Sequence, residues 1–348
     1  MRWPTRRLVD LTNASKSEGR RVGDHVSLIF VGDIYFAGPV KYYVEHKHNT
    51  YNDSFNEVAP YIREADISVC NLESPFVNED VYTHKYKGEK SVLLNSNKDA
   101  ASALRFAGFN AITLANNHLN DFGAEGANFT AEVLKEIGIP YFGISFGDYL
   151  SSQEPLIIKR KGIAFGFLGY CDSPSVFKNC SQMRMLFTSG PAIYRDDVAT
   201  RDINELKAKV DVIVVLMHYG EETYLRPIPY QLHINKHLMS LGVDIIIGAH
   251  PHVVQGHCVN HNKLIEDSLG NFLFHPVPYK RGSNPVTKGV VGATYLPLKV
   301  KLDHKTKRLH PEPVKNSKWI HVCGDEDVKC QCRNEIIATR KAVKKRLR

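Results

Sequence analysis

The stretch DVIVVLMHYGEE (211–222) decides the class of fold, because a continuous apolar run leads directly into a histidine. Asp211–Met217 has the length of a strand, and an unbroken apolar run of this length is typical of a strand buried on both faces. The preceding segment, Asp197–Val210, carries apolar residues at helical spacing. The stretch therefore predicts a strand of an α/β fold with His218 at its carboxyl end.

The same arrangement recurs along the chain. The other predicted strands and the residues that follow them are Val26–Val31 with Asp33, Ile67–Leu72 with Glu73, Phe109–Ala115 with Asn117 and His118, and Val243–Gly248 with His250 and His252. Helical patterns such as Glu125–Ile137 and Tyr230–Leu241 separate them. This alternation predicts a layered α/β sandwich with mixed β-sheets flanked by helices.

One main domain is predicted for residues 25–322, since no long linker divides the middle of the chain. Two further predicted strands and a hairpin complete it: Ser268–Phe274, Val290–Pro297 and Lys299–Pro311. Residues 1–24 are predicted to form a flexible N-terminal extension and residues 323–348 a basic C-terminal tail.

The composition is that of a globular protein. Of the 348 residues, 43% are hydrophobic and 24% are charged, which excludes a disordered chain and a coiled-coil rod. No apolar run reaches the ~18–20 residues of a membrane-spanning helix, and Met1–His25 lacks the apolar core of a secretory signal. We therefore expect no membrane anchor, a cytoplasmic location by default, and cysteines that are mostly reduced.

Strand ends that meet at one edge of a sheet would gather two carboxylates, an amide and three imidazoles. These residues are Asp33, Glu73, Asn117, His218, His250 and His252. Neighbouring buried carboxylates have a large desolvation cost unless a cation compensates their charge. Imidazole and carboxylate ligands suit Zn²⁺, Mn²⁺ or Fe, so the pattern predicts one or two divalent metal ions.

Each of these histidines, taken singly, also fits an ordinary polar residue after a strand. Pro251 is expected to hold His250 extended, which would aim His250 and His252 at different coordination positions; a tight turn with two surface histidines is the alternative. The other histidines are predicted to lie at the surface, with His275 left undecided. They are His46, His48, His84, His233, His237, His257, His261, His304, His310 and His321.

Six stretches resemble the CapA family of poly-γ-glutamate capsule-synthesis proteins. They are FVGDI (30–34), ADISVCNLESP (65–75), GFNAITLANNHLNDFG (108–123), DVIVVLMHYGEE (211–222), GVDIIIGAHPHVVQG (242–256) and SLGNFLF (268–274). They stand in the order of the family. The family resembles calcineurin-like metallophosphoesterases, so the resemblance implies a metallophosphoesterase-like sandwich and a metal-dependent phosphoester hydrolase.

The resemblance also implies a role for each residue at the strand ends. Glu73 resembles a carboxylate that bridges two metal ions, and His118 resembles a catalytic histidine that protonates the leaving oxygen. The implied remaining ligands are Asn117, His218 and His250 for one ion, and Asp33 and His252 for the other.

One position departs from the phosphoesterase pattern. Phosphoesterases usually open with Asp-x-His, whereas this chain reads Asp33-Ile34-Tyr35. A tyrosine, with a reference pKa of about 10, is a poor metal ligand unless it is ionised. The amide oxygen of Asn71 is a candidate replacement; without it, we expect only one ion to be held firmly.

Several neighbouring residues are candidates for supporting roles. Gly32 is expected to allow a close backbone approach beside Asp33, and Asp121 to cap the helix after the NNH motif. Asn271 is equally suited to support a ligand or to contact substrate, and Glu222 to hold a ligand imidazole or to be an exposed acid. The supporting candidates are Asn71, Asn116, Asp121, Glu222 and Asn271.

Two functional hypotheses remain open. The first is a metal-dependent phosphoester hydrolase, and the second is a non-catalytic accessory protein that binds poly-γ-glutamate or another polyanion. The formal net charge of +8 suits an acidic polymer and a phosphorylated substrate equally well. No motif of interleaved basic and aromatic residues stands out, so no nucleic-acid partner is expected. The sequence leaves the oligomeric state open.

Overall fold

The computed structural model describes residues 8–10, 25–46, 48–78, 92–147, 151–172, 180, 188–260, 263–274, 298–303 and 309–313. Several sequence predictions lie outside these ranges: the strand Val290–Pro297, the tail 323–348, and His84, His261, His275, His304 and His321. Within the predicted extension 1–24, residues Leu8–Asp10 form a short strand.

Eighteen strands are found among the described residues. They are β1 Leu8–Asp10, β2 His25–Ile34, β3 Ile67–Leu72, β4 Phe76–Val77, β5 Ser96–Asn97, β6 Ala111–Thr113, β7 Tyr141–Phe142, β8 Ile144–Ser145, β9 Leu156–Arg160, β10 Ile163–Asp172, β11 Gly190–Pro191, β12 Val212–Tyr219, β13 Ile245–Ala249, β14 His257–Asn260, β15 Lys263–Glu266, β16 Asn271–Leu273, β17 Leu298–Asp303 and β18 Leu309–Pro313.

Six α-helices and two 3₁₀ turns lie among the described residues. The α-helices are α1 Pro39–His46, α2 Ala59–Glu64, α3 Ala101–Ala107, α4 Gly123–Glu136, α5 Asp196–Lys207 and α6 Pro229–Ser240, with 3₁₀ turns at Tyr51–Phe55 and Lys98–Ala100. Helix α3 ends at Gly108, which takes a left-handed φ of 96° and donates its N–H back to Leu104 O and Arg105 O.

Two seven-stranded sheets form the centre of the fold. The first has the order β18-β17-β2-β3-β6-β7, with β16 also paired to β2, and the second has the order β1-β9-β10-β12-β13-β15-β14. The neighbours β2, β3, β6 and β7 are parallel, as are β10, β12, β13 and β15, whereas β17, β9 and β14 pair antiparallel. The predicted layered α/β sandwich with mixed sheets is confirmed.

The core between the two sheets explains the continuous apolar strands. In β12, Val212, Val214 and Leu216 belong to the cluster shared by both sheets. The alternating residues Ile213, Val215 and Met217 instead pack with apolar side chains of α5 and α6. Since successive side chains of a strand point to opposite faces, both faces of β12 are buried, at roughly 1.5–3 kcal/mol for each fully buried aliphatic side chain.

The other face of the first sheet is covered by α2, α3 and α4. Ile62, Leu104 and Leu134 from these helices share one cluster with Ile112 of β6. The molecule is therefore layered helix, sheet, sheet, helix. The strands that carry the predicted ligands are neighbours within each sheet, three in the first and two in the second, so the predicted site draws on both sheets rather than on one.

The prediction of mostly reduced cysteines is wrong for the described residues. Cys171 and Cys180 form a disulfide with a Cα–Cα distance of 5.9 Å, and Cys258 is also disulfide-bonded. Cys70 is a free, buried thiol whose pKa is raised by burial. The pairing depends on how the chain turns between the end of β10 and Cys180, nine residues later, which the spacing in the sequence does not reveal.

Among the histidines predicted to be at the surface, His46, His48 and His233 are exposed. His257 contradicts the prediction: it is buried, and its Nδ1 lies 3.0 Å from Glu266 Oε2. The cause is the antiparallel pairing of β14 with β15, which sets His257 opposite Glu266. In the described part of the chain, no helix is both long enough and apolar enough to cross a bilayer.

Candidate metal centre

Glu73 lies at the centre of the site, directly after β3, and is completely buried. Its Oε1 is 3.5 Å from His218 Nε2 and 3.8 Å from His252 Nε2. Two groups of side chains have ligand atoms within 4.8 Å of one another, and Glu73 belongs to both: one adds His218 and His250, and the other adds Asp33 and His252. This sharing is the arrangement expected of a bridging carboxylate.

Asp33 reaches the site through a close contact between two backbones. Its N–H donates to Gly270 O at 3.1 Å, and a Cβ atom on Gly32 would lie 1.8 Å from the same oxygen. Only glycine can occupy position 32 without displacing the backbone at Gly270, so the close backbone approach predicted beside Asp33 is present. The Asp33 side chain is thereby held at the end of β2, in a fully buried position.

The surroundings of the Asp33 carboxylate indicate whether the site fits a cation. Its Oδ2 is buried and has no hydrogen-bond partner among the described residues, although His252 Nδ1 lies 3.3 Å away without hydrogen-bond alignment. A buried unsatisfied polar group costs about 1–3 kcal/mol, and more if it is charged. The residues present therefore fit a bound divalent ion, which would compensate this oxygen.

The charges of Asp33 and His252 depend on each other. Burial raises the pKa of Asp33, but the contact with His252 and the positive charges of His252 and His218 outweigh burial and lower it to about 2. Burial lowers the pKa of His252, but Asp33 and the charge of Glu222 raise it overall. Asp33 is accordingly ionised at neutral pH and contributes negative charge to the centre.

Asn117 lies beside the group formed by Glu73, His218 and His250. Its Oδ1 is 2.9 Å from His218 Nε2, and the rings of His218 and His250 are 4.9 Å apart between centroids. The amide comes from the loop after β6 in the first sheet, whereas His218 lies near the end of β12 and His250 directly follows β13 in the second. This half of the centre is thus assembled across the two sheets.

The loop after β13 has an unusual backbone. His250 has φ 97° and His252 has φ 56°, so the prediction of an extended His250 before Pro251 is wrong. The loop is held from both sides, since Thr223 N–H donates to Pro251 O and Gln255 N–H donates to Ser268 O. Positive φ in residues other than glycine has a cost of the order of 1–3 kcal/mol and is concentrated at functional sites.

Asn271 contacts a proposed ligand, which is one of the two roles that the sequence left open. His252 Nδ1 lies 2.7 Å from Asn271 Oδ1, so Nδ1–H donates to the amide oxygen. Asn271 is in turn positioned by the pairing of β16 with Asp33. This bond selects the tautomer in which His252 Nε2, the atom nearer Glu73, carries the lone pair.

His118 is oriented by Asp121. His118 Nδ1 is 2.7 Å from Asp121 Oδ2, and the same carboxylate oxygen accepts the N–H of Leu94. Asp121 does not cap the following helix, contrary to prediction: α4 has Phe122 at its N-cap position, with no side-chain cap. Both residues lie in the loop between β6 and α4, where helical spacing does not apply, so no periodic sequence signal indicated this pair.

Asn71 presents its nitrogen, not its oxygen, to the carboxylates. Nδ2 is 2.7 Å from Asp33 Oδ1 and 2.9 Å from Glu73 Oε2, while Oδ1 accepts from Asn116 Nδ2. This orientation does not offer the oxygen that was suggested as a replacement ligand. Tyr35, which stands where phosphoesterases usually have a histidine, is buried and packs on Phe274 with ring centroids 5.2 Å apart.

Glu222 is exposed. In the described structure it shows no hydrogen bond to an imidazole of the centre, and it acts on His252 only through its charge. The interpretation of Glu222 as an exposed acid is therefore the one that the geometry favours.

Residues 27–276 match the family described as "Bacterial capsule synthesis protein PGA_cap". The chain belongs to the PGA_cap family. It is 30% identical over 271 residues to the capsule biosynthesis protein CapA of Bacillus anthracis, covering 76% of this chain and 64% of that protein. It is also 29% identical over 267 residues to the PGA biosynthesis protein CapA of Bacillus subtilis, covering 75% of this chain and 67% of that protein. The chain therefore spans about two thirds of the length of these relatives.

Two solved structures resemble the fold at low similarity. TT1561 of Thermus thermophilus aligns with 83% of this chain and 99% of its own, at 12% identity and a TM-score of 0.38. A 5'-nucleotidase from Candida albicans aligns with 82% of this chain and 51% of its own, at 11% identity and a TM-score of 0.42. At these scores neither structure bears on the chemistry of the PGA_cap site.

Proposed function

We propose that this PGA_cap protein is a metal-dependent phosphoester hydrolase that serves the synthesis of poly-γ-glutamate or a similar acidic polymer. The observation that carries the proposal is the membership of Glu73 in both ligand groups. A site with one shared carboxylate and three imidazoles suits one or two ions of Mn, Zn or Fe. Ions bound there would polarise a phosphoryl group and acidify a water molecule.

The side chains of the centre have two proposed roles, metal ligation and general acid catalysis. Asp33, Glu73, Asn117, His218, His250 and His252 are the proposed ligands. His118, whose Nδ1 is held 2.7 Å from Asp121 Oδ2, is the proposed general acid that gives a proton to a leaving oxygen. A positioned general acid of this kind contributes typically 10²–10⁴-fold in rate.

The second candidate is an accessory protein that holds an acidic polymer without turnover. Two Mycobacterium tuberculosis relatives are described as probable polyglutamine synthesis accessory proteins, at 23% identity over 209 residues. Tyr35, where phosphoesterases usually carry a histidine, also favours this candidate, because it offers no imidazole to the first ion. A polymer-binding role, however, needs no proton donor such as His118 beside the ligands.

A metal-refilled activity screen distinguishes the two candidates. The purified chain is stripped with a chelator, refilled with Mn²⁺ or Zn²⁺, and assayed against phosphomonoesters, phosphodiesters and nucleotides, alongside a poly-γ-glutamate binding assay. We expect turnover that His118→Ala abolishes while its metal content is unchanged, and that His233→Ala, a change at an exposed histidine, leaves intact. Polymer binding without turnover in the wild-type chain would refute the hydrolase and support the accessory role.

A further inference from the structure

The amide of Asn71 lies between the two carboxylates of the centre. The residue is 2% exposed, and its Nδ2 donates to Asp33 Oδ1 at 2.7 Å and to Glu73 Oε2 at 2.9 Å. An amide nitrogen has two hydrogens, so each carboxylate takes one. A third contact, to His218 Nδ1, is longer, at 3.4 Å.

The remaining oxygen of each carboxylate faces the imidazoles. Asp33 Oδ2 is 3.3 Å from His252 Nδ1, and Glu73 Oε1 is the atom near His218 Nε2 and His252 Nε2. Each carboxylate is therefore divided in the same way, with one oxygen bonded to Asn71 and one directed at the ligand cluster. The unsatisfied Asp33 Oδ2 is on the side away from Asn71.

The orientation of Asn71 is itself fixed. Its Oδ1 accepts from Asn116 Nδ2 at 3.1 Å, and the same nitrogen donates to Leu72 O at 2.8 Å. Asn116 Oδ1 accepts the backbone N–H of His118 at 3.1 Å. If the Asn71 amide flipped, it would lose the bonds to both carboxylates and set two N–H groups against each other, so the nitrogen is held toward the acids.

We propose that Asn71 is a positioning residue that makes Asp33 and Glu73 one-oxygen ligands and so biases the centre toward small transition-metal ions. The inference rests on the metal centre of the proposed function. Ca²⁺ takes six to eight oxygen ligands, often with bidentate carboxylates, whereas Zn²⁺ is satisfied by fewer donors and accepts imidazole. Because Asn71 occupies the second oxygen of both acids, it withholds the bidentate geometry that Ca²⁺ favours.

Asn71→Ala tests the proposal by removing both donors. Calorimetric titration with Zn²⁺ and with Ca²⁺ is expected to show Zn²⁺ affinity falling about 10–100-fold, the usual effect of losing a partner of a metal ligand. Ca²⁺ affinity should fall less, so the ratio of Zn²⁺ affinity to Ca²⁺ affinity should be lower in Asn71→Ala than in the wild-type chain. The absorption spectrum of the Co²⁺-loaded chain, which reports coordination number, should shift toward the weaker bands of higher coordination.

Two further variants complete the design. Asn235→Ala is the matched control, because Asn235 is a buried amide that also donates to a carboxylate, Asp267 Oδ1 at 2.8 Å, away from the centre; its Co²⁺ spectrum should be unchanged. Asn116→Ala removes the partner that orients Asn71 and should shift the spectrum in the same direction by less. It decides the test if Asn71→Ala fails to fold.

The results separate this inference from the proposed function. An unchanged affinity ratio and Co²⁺ spectrum in the folded variants at positions 71 and 116, with metal still bound, would overturn the role of Asn71 and leave the metal centre standing. A wild-type chain that binds neither Zn²⁺ nor Co²⁺ would overturn both.

Discussion

At the scale of single residues, the candidate metal centre combines several features that destabilise the folded state and that are unusual in an ordinary cluster of polar side chains. Asp33 Oδ2 is buried without a hydrogen-bond partner among the described residues, and both His250 and His252 have positive φ. Each of these features lowers the free energy of unfolding by about 1–3 kcal/mol. Their coincidence around Glu73 is accounted for if a cation is bound there.

His250→Ala should remove the stabilisation that metal confers on the folded chain. Binding to the folded state alone adds about 2.7 kcal/mol to the free energy of unfolding at a ligand concentration 100 times the Kd. We expect added Zn²⁺ to raise the Tm of the wild-type chain and of the His233→Ala control, but to raise that of His250→Ala much less. An equal rise in all three chains would show that His250 is not a ligand.

A second residue-scale prediction concerns a buried acidic pair outside the centre. Burial and the charge of Glu266 raise the pKa of Asp267 to about 7, against the lowering effects of Asn235 and His257. Burial also raises the pKa of Glu266, and Tyr219 packs nearby, with its hydroxyl bonded to Asn235. Asp267 therefore keeps its proton in the folded chain at a pH where the unfolded chain has lost it.

Stability should accordingly fall as the pH rises from about 4 to about 7, because the unfolded state then binds fewer protons than the folded state. Asp267→Asn keeps the shape but cannot ionise. Urea unfolding in chelator should find the variant more stable than the wild-type chain at pH 8, by about 1–4 kcal/mol at roughly 1.4 kcal/mol per pKa unit. The difference should shrink by pH 4. A difference independent of pH would contradict this explanation.

At the scale of elements, the strand ends position the proposed ligands, and contacts between segments far apart in the chain orient them. The apolar runs and the polar residues after them could be predicted from local sequence, because a strand buried on both faces is a continuous run of apolar residues. The His118–Asp121 pair and the orientation of Asn71 required loop geometry that no periodicity encodes. The turn at His250 likewise follows from bonds to Thr223 and Ser268, far along the chain, and these outweigh the usual effect of a following proline.

The Cys171–Cys180 disulfide belongs to this scale, because it ties the end of β10 to a residue nine positions away. Cys171 pairs in register with His218 on β12. Replacing both cysteines by serine should lower the free energy of unfolding by about 2–3 kcal/mol, the loop-closure value for a loop of this length. Urea unfolding measures the loss. If the reduced wild-type chain and the double variant match the oxidised chain, the disulfide has no structural role.

At the scale of the whole molecule, the site exists only because two sheets are stacked. Asp33, Glu73 and Asn117 come from the first sheet, and His218, His250 and His252 from the second. Sequence patterns predicted the layered class and the polar residues at the strand ends, but not which strands share a sheet, since pairing joins residues far apart in the chain. The buried His257 was missed for the same reason: its partner, Glu266, is set by the pairing of β14 with β15.

The metal content of the folded chain tests the central claim most directly. After chelation and refilling, elemental analysis should find about one or two equivalents of Zn²⁺, Mn²⁺ or Fe in the wild-type chain. Glu73→Gln should lose essentially all of it while remaining folded by circular dichroism, because Glu73 belongs to both ligand groups. A wild-type chain that takes up no metal, or a Glu73→Gln chain that retains it in full, would contradict the account.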